Sequence, residues 1–519
     1  MARFQSAGLV ESRMDFLSCG DATVAILPVG QAPDARFWKY AELIASDGEV
    51  DLHSVQAFYQ EKQKSPFSNL PWGHGAMRLK FQVDVSSLLR REESNILQDI
   101  KQYGNRRRTF GVVGICSCTR CPDVSKAYEE FLEASRMYPN ACALRCLMFD
   151  PSNDQVEQDH ATETHMIMVP PSAGEALGQH VETVMQDFCA VLVMGLEQLA
   201  LKADACDIPS RRLSFRRASL GGEGEESLQA RLASPAGAEG GQHSQPGPSG
   251  RGRDLLNSSK EILRRAPELA QGGEAFISRM TANPKDDNAK RLKKRKLASV
   301  QRDIGFYCLA SGSPVDALRH FSTSVELSQG VADFRVTVAA LEGYLCSLLL
   351  LKQSYLKNQA VEEDSQMVWK SEELVSIEEI LDLILLNLKL ASSEDLSIAT
   401  LIKYARYLSQ NIGAPSAQEA GMDALVLKQR AQRRRNLMAE IIQDVREYEG
   451  VNMLDTVVLN LELSVLFEEL GHFRQQIFSL RKASQTVREM LKAADTDGDG
   501  EVSLDEFKTI MRAGPDVKP

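Results

Sequence analysis

Two hydrophobic periods divide the chain. From Ala22 to about Ala205, short runs of strand period alternate with stretches of helical period. ATVAILPV (Ala22 to Val29) is an apolar run bounded by Gly20 and Gly30. In MRLKFQVDV, Leu79, Phe81, Val83 and Val85 share one face while Arg78, Lys80, Gln82 and Asp84 share the other, the alternation of a half-buried strand. TFGVVGIC (Thr109 to Cys116) and ALRCLMF (Ala143 to Phe149) predict two more strands, separated by the helical stretch VSKAYEEFLEASRMY. Ser172, with Glu175 three residues on, makes a capping box ahead of Leu177, Val181, Val184, Met185, Phe188, Leu192 and Leu196 at helical spacing, which predicts a long helix. Residues 1–205 therefore read as one α/β domain.

The pattern then breaks. Residues 206–289 are rich in Gly, Ser, Pro and Arg, as in LASPAGAEGGQHSQPGPSGRGR, and carry few large apolar side chains. Such a segment cannot offset its ordering entropy and predicts a disordered insert. Residues 290–486 show only helical period, around Ile304 to Leu327, Val338 to Leu351, Leu374 to Leu390, Ile398 to Leu408, Met422 to Tyr448 and Leu454 to Leu470. In DIGFYCLASGSPVDALRHFSTSVEL, small Gly305, Gly312 and Ala317 accompany bulky Leu309 and Phe321, as in a tetratricopeptide hairpin; LFEELGHFRQQIFSLRKAS repeats the idea with Gly471 at its turn. The array reads as an α-solenoid, with an ordinary helical bundle as the alternative. The predicted fold class is thus an α/β N-terminal domain, a mainly α helical array and a terminal calcium-loop unit at 487–519.

Composition narrows the function. Of 519 residues, 43% are hydrophobic and 25% charged, which suits a globular protein of several units. Sixty basic against 71 acidic residues leave a net charge of −11, which argues against nucleic acid as the main ligand. Ten Cys without a bridge-like spacing read as reduced intracellular thiols. The N-terminal run is broken by Glu11 and Arg13, unlike a signal peptide, and no stretch of about 18 uncharged apolar residues occurs. No G-x-x-x-x-G-K-[ST], G-x-G-x-x-G or G-x-S-x-G follows a predicted strand, so the expectation is a non-enzyme.

One motif carries definite chemistry. DTDGDGEVSLDE places Asp495, Asp497 and Asp499 at positions one, three and five of a calcium loop, Gly500 at six, Glu501 at seven, Ser503 at nine and Glu506 at twelve. Alternate carboxylates turn inward around a hard cation, Gly500 takes the bend, Glu501 offers its backbone carbonyl and Glu506 closes the shell bidentately. Val487, Met490 and Leu491 before the loop and Phe507, Ile510 and Met511 after it give apolar flanks, and the stretch closely resembles a calmodulin-like EF-hand, implying calcium as the cofactor. It is a single hand, with an exiting helix of about two turns before Gly514 and Pro515.

Weaker signals remain. Cys116, Cys118 and Cys121 end a predicted strand, and Cys142 and Cys146 are placed to approach them, as a metal or redox cluster or as ordinary buried thiols. His160 and His165 read as surface histidines. Ser214 and Ser219 follow Arg pairs and are candidate phosphorylation sites. The basic run Lys290 to Lys296 reads as a solvated helix start, a contact for anionic lipid or an acidic subunit, or a nuclear signal. Arg433, Arg434 and Arg435 read as an exposed helix face.

The block DDNAKRLKKRKLASVQRDIGFYCLASGSPVDALRHFSTSVELSQGVADFRVTVAALEGYL resembles the central signature of the large, subunit-nine type (TRAPPII-specific) subunits of TRAPP tethering complexes. LPVG, the Trp72-Gly73 pair, FGVVGI, the Tyr128 to Leu132 helix and ALRCLMFD follow the same order in the N-terminal domain, and LGHFRQQIFSLRKAS is similar to a later hairpin. The resemblance implies a cytoplasmic protein, peripheral at the Golgi or trans-Golgi network. It further implies a non-catalytic scaffold whose partners are other TRAPP subunits, with a Rab GTPase engaged indirectly. Members of that family run on into immunoglobulin-like β domains and ordinarily lack a calcium loop. The alternative is a calcium-responsive helical adaptor unrelated to trafficking.

Overall fold

The computed structural model describes residues 16–30, 33–46, 48–60, 65–73, 75–84, 109–121, 123–157, 164–171, 175–205, 284–359, 377–391, 394–411, 424–447 and 453–495. The expected disordered insert lies outside these residues apart from its last six. Within them an N-terminal α/β region is followed by helices.

The α/β region runs β1 (Ala22–Pro28), α1 (Ala35–Ala45), β2 (Glu49–Asp51), α2 (Leu52–Gln56), β3 (Ala76–Val83), β4 (Thr109–Ser117), α3 (Val124–Ser135), β5 (Ala143–Phe149), α4 (Asn153–Val156), β6 (Met166–Val169) and α5 (Glu175–Ala205). The strands form one sheet in the order β2-β3-β1-β4-β5-β6. The last five in that order pair in parallel, and β2 lies antiparallel on the β3 edge. Alternate residues of β1 point to two separate cores. Val24 and Ile26 join Phe37, Tyr40 and Ile44 of α1 and Phe188 and Leu192 of α5, while Ala25 and Leu27 join Val124, Tyr128 and Phe131 of α3. Because both faces are covered, β1, β4 and β5 read as continuous apolar runs and not as alternating ones. Two glycines of β4 permit this closeness: a Cβ on Gly111 would stand 2.5 Å from Phe188, and one on Gly114 2.6 Å from Phe131.

All seven apolar positions expected on the long helix are buried in α5. Its first helical residue is Glu175, and the proposed cap Ser172 lies outside the described residues. The strand pattern did not reveal α1, whose N-cap Asp34 accepts from the Phe37 backbone N–H and whose Phe37, Tyr40, Ala41 and Ile44 face the core. Nor did it reveal β2 and β6, which are three and four residues long.

The helices that follow are α6 (Pro284–Ala310), α7 (Pro314–Gln329), α8 (Phe334–Gln359), α9 (Ile377–Ala391), α10 (Glu394–Asn411), α11 (Ala424–Glu447), α12 (Met453–Glu469) and α13 (Phe473–Ala494). They pack mainly as sequential neighbours, α6 with α7, α7 with α8, α8 with α9 and α12 with α13. Gly312 (φ 81°) and Gly471 (φ 70°) take the left-handed turns that close the α6–α7 and α12–α13 hairpins. The array is continuous with the sheet region: α6 packs on α5, α8 packs on the turn Leu17–Gly20, and one hydrophobic cluster runs from Val24 to Phe467. Helices α5 and α8 are long and apolar enough to cross a bilayer, yet 56% and 61% of their most apolar windows lie inside the fold.

Candidate functional site

Taking the parallel strands alone, the chain leaves β1 for the β3 side and continues from β4 toward β6, so the order reverses between β1 and β4. In open α/β sheets, ligands bind outside the carboxyl ends of the strands at such a reversal. At that position the segments after β1 and β4 are tied to one another by side chains. Gly30 (φ 73°) ends β1 and lets the chain turn over the thiols, since a Cβ there would lie 3.2 Å from Cys121 Sγ and 3.8 Å from Cys116 Sγ. After β4, Cys118 N–H donates to Phe149 O (2.9 Å), and Cys121 N–H donates to Cys118 O (3.2 Å), folding the segment into a tight turn. Arg36 Nη1 donates to Thr119 Oγ1 at 2.7 Å, and Arg120 pairs with Asp34 at 2.7 Å, tying that turn to the start of α1. Tyr40 Oη donates to Asp150 Oδ2 (2.5 Å) beyond β5, while its ring stacks on Phe149 at 3.9 Å. Burial, then the Asp150 bond, raises the Tyr40 pKa well above its ordinary value, so Tyr40 is a fixed neutral donor.

The cysteine cluster is partly as expected. Cys116, Cys118, Cys121 and Cys146 are buried in the core under α3. Cys142 goes elsewhere, packed under Gly195 of α5 with its Sγ 3.4 Å from Phe110 O. The Cys116 thiol donates to Cys118, which raises the Cys116 pKa and lowers that of Cys118; burial raises Cys121. Among the described residues no group of three His, Cys, Asp or Glu is arranged to hold a metal ion. His165 corrects the surface reading: it is half-buried, its backbone N–H faces Tyr128 Oη at 3.3 Å, and burial lowers its pKa. His160 lies outside the described residues.

The calcium-loop residues are reached only at their first member. Helix α13 runs without interruption to Ala494, and Asp495 is its C-cap, with N–H donating to Leu491 O at 2.9 Å and the backbone leaving the helix at ψ 89°. The first position of the motif is therefore anchored at the end of α13, half-buried there. Asp497, Asp499, Glu501, Ser503 and Glu506 lie outside the described residues, as do Ser214 and Ser219. Every side-chain donor in the motif is an oxygen, which fits a hard divalent cation and not a thiolate-loving one.

The basic run sits on the first turns of α6. Lys290, Lys293, Lys294, Arg295 and Lys296 are exposed together with Leu292. Arg295 pairs with Asp333 at 2.6 Å.

Comparison with known families matches residues 15–367 to the Trs120/TRAPPC9 N-terminal domain, which takes in the whole sheet and helices α6 to α8. The chain belongs to the Trs120/TRAPPC9 family. Residues 486–514 match the EF-hand domain, beginning inside α13. The trafficking protein particle complex II-specific subunit 120 homolog of Oryza sativa subsp. japonica is 27% identical over 467 residues, 89% of this chain and 31% of that protein. Its Arabidopsis thaliana counterpart is 26% identical over the same shares of each chain. The trafficking protein particle complex subunit 9 of Mus musculus is 44% identical over 62 residues, 12% of this chain and 5% of that protein. The chain thus spans about a third of the length of the plant members of the Trs120/TRAPPC9 family that it matches.

Proposed function

We propose that the chain is a non-catalytic scaffold subunit of a TRAPP-type complex that tethers vesicles and supports Rab exchange. It acts on the cytoplasmic side of the Golgi or trans-Golgi network and carries a calcium site at its tail. The observation that carries this reading is the family match across residues 15–367, which spans both the sheet and the helices packed on it. The ties between the segments after β1, β4 and β5 support a structural role for the sheet, because Arg36, Arg120 and Tyr40 are engaged with Thr119, Asp34 and Asp150. Other TRAPP subunits are the direct partners and the Rab GTPase an indirect one. The exposed lysines at the start of α6 supply contact with anionic lipid, worth about 1 kcal/mol for each charge near the surface. The helical hairpins stack as a tetratricopeptide-like solenoid, and Ser214 and Ser219 accept phosphate.

At the tail, Asp495, Asp497, Asp499, Ser503 and Glu506 supply side-chain oxygens and Glu501 its backbone carbonyl to calcium. The ion's chemistry is charge neutralisation and ordering of the loop. Glu506→Gln removes the bidentate carboxylate and is expected to abolish calcium-dependent heat in titration calorimetry while leaving recovery of small TRAPP subunits on the tagged chain unchanged. Calcium heats equal to wild type contradict the site, and absence of those subunits contradicts the scaffold. The EF-hand match also fits a second reading, a calcium-responsive adaptor outside trafficking. That reading predicts calcium-dependent partners in place of TRAPP subunits.

A further inference from the structure

Helix α13 carries two stripes of opposite fate. Ser479, Ala483 and Thr486 are buried, on the edge that packs along α12. On another edge Phe473, Ile477, Leu480, Ser484, Val487 and Leu491 recur at intervals of four and three and are all exposed, Phe473 at 65% and Leu491 at 49%. That alternation is the narrow seam by which one helix receives another along its length, about 27 Å here. Arg474, Arg481 and Arg488 form a column at seven-residue spacing along one border of the seam, all exposed and with no ion-pair partner among the described residues.

We infer that this seam is a docking face for an acidic amphipathic helix of another protein. Charge decides among the possible occupants. A second copy lying antiparallel on the same seam sets arginine column against arginine column. A parallel copy sets the column toward positions such as Ala483 that are already turned onto α12. The chain's own exiting helix, with its expected two turns, reaches only Val487 and Leu491. A membrane surface favours a broad apolar face, wider than a seam of two positions in seven. A helix with Leu-type residues at the same intervals and Glu or Asp at its border satisfies both the stripe and the arginines. The inference does not depend on which complex the chain joins, or on calcium.

The test uses the full chain and two labelled synthetic helices of four heptads, identical in their Leu positions. One carries Glu at every border position and the other Lys. In fluorescence anisotropy the Glu helix binds and the Lys helix does not. The triple variant Arg474→Glu, Arg481→Glu, Arg488→Glu loses about tenfold or more in affinity for the Glu helix and gains binding of the Lys helix. Ile477→Asp with Leu480→Asp removes binding of both, and because these positions are exposed the melting temperature is retained; if it is not, the charge-swapped variant decides alone. Equal binding of the two helices, no binding of either, or binding unmoved by the variants overturns the inference. So does a dimer in sedimentation that Ile477→Asp dissolves, retention on phosphatidylserine vesicles without peptide binding, or peptide binding that appears only when residues 496–519 are removed.

Discussion

Phe321 sets how closely three helices approach. Its ring occupies the space where a side chain on Gly305 of α6 or Gly343 of α8 would stand, 2.8 and 2.3 Å away, and Phe306 meets it edge-on at 5.0 Å. The pairing of small Gly305 with bulky Phe321 was legible in the sequence, since one chemistry demands the other; Gly343 as a second partner was not, because it lies 22 positions away. The neighbouring His320 faces inward, its Nδ1 2.8 Å from Gln301 Oε1. Burial lowers its pKa from 6.5 to about 4, with Asp316 opposing and Arg319 assisting. The neutral form is therefore the folded one. The stabilisation is whole above pH 6.5 and drains as pH falls from 6.5 toward 4, by up to roughly 3 kcal/mol at about 1.4 kcal/mol per unit. Urea unfolding across that window is expected to lose stability in the wild type and to lose distinctly less in His320→Gln; parallel curves contradict the assignment.

Asp316 is where one element learns the position of another. It is 1% exposed at the start of α7 and accepts from Asn69 N–H (2.8 Å), Asn69 Nδ2 (2.6 Å), Ser313 Oγ (2.8 Å) and Ser68 Oγ (3.3 Å). Beside it, Gly312 brings the α6–α7 turn so near β3 that a Cβ would lie 3.0 Å from Ala76 O. The carboxylate thus fastens the first hairpin to the edge of the sheet region. Asp316→Ala leaves several buried donors without an acceptor and is expected to destabilise the chain by about 3 kcal/mol in denaturant unfolding. A change below about 1 kcal/mol means that the latch is not a structural one. At this scale the elements differ in legibility. Strands β1, β4 and β5 and helix α5 announce themselves through length and period, whereas β2 and β6 are too short to show a period and α1 has only four core-facing side chains. The latch itself was illegible, because Asp316 and Asn69 are 247 positions apart and a capping-like Asp near Pro314 looks the same whether or not something docks on it. A buried charge elsewhere in the array, Arg406, lies between Glu462 (3.4 Å) and Glu469 (3.5 Å) and ties α10 to α12 in a similar long-range way.

Across the whole molecule, the sheet's core under α1 and α5 continues into the helices while the core under α3 stays separate, and the exposed charged features lie on α6 and α13, the first and last described helices of the array. The lysines of α6 follow the segment 206–289, and the arginine-lined seam of α13 leads into Asp495. The EF-hand motif was the most legible feature of the chain, since twelve residues suffice to specify it, and Asp495, its first position, caps the end of α13. The crevice between β1 and β4 is the reverse case: the strand order invites a ligand, and only the side-chain geometry reveals Arg36, Arg120 and Tyr40 engaged with Thr119, Asp34 and Asp150. The most direct test is light scattering of the full chain co-expressed with the small TRAPP subunits, with calcium and with chelator. A single assembly containing the chain, of the same mass in both conditions, is expected; a chain that elutes alone in both contradicts the scaffold.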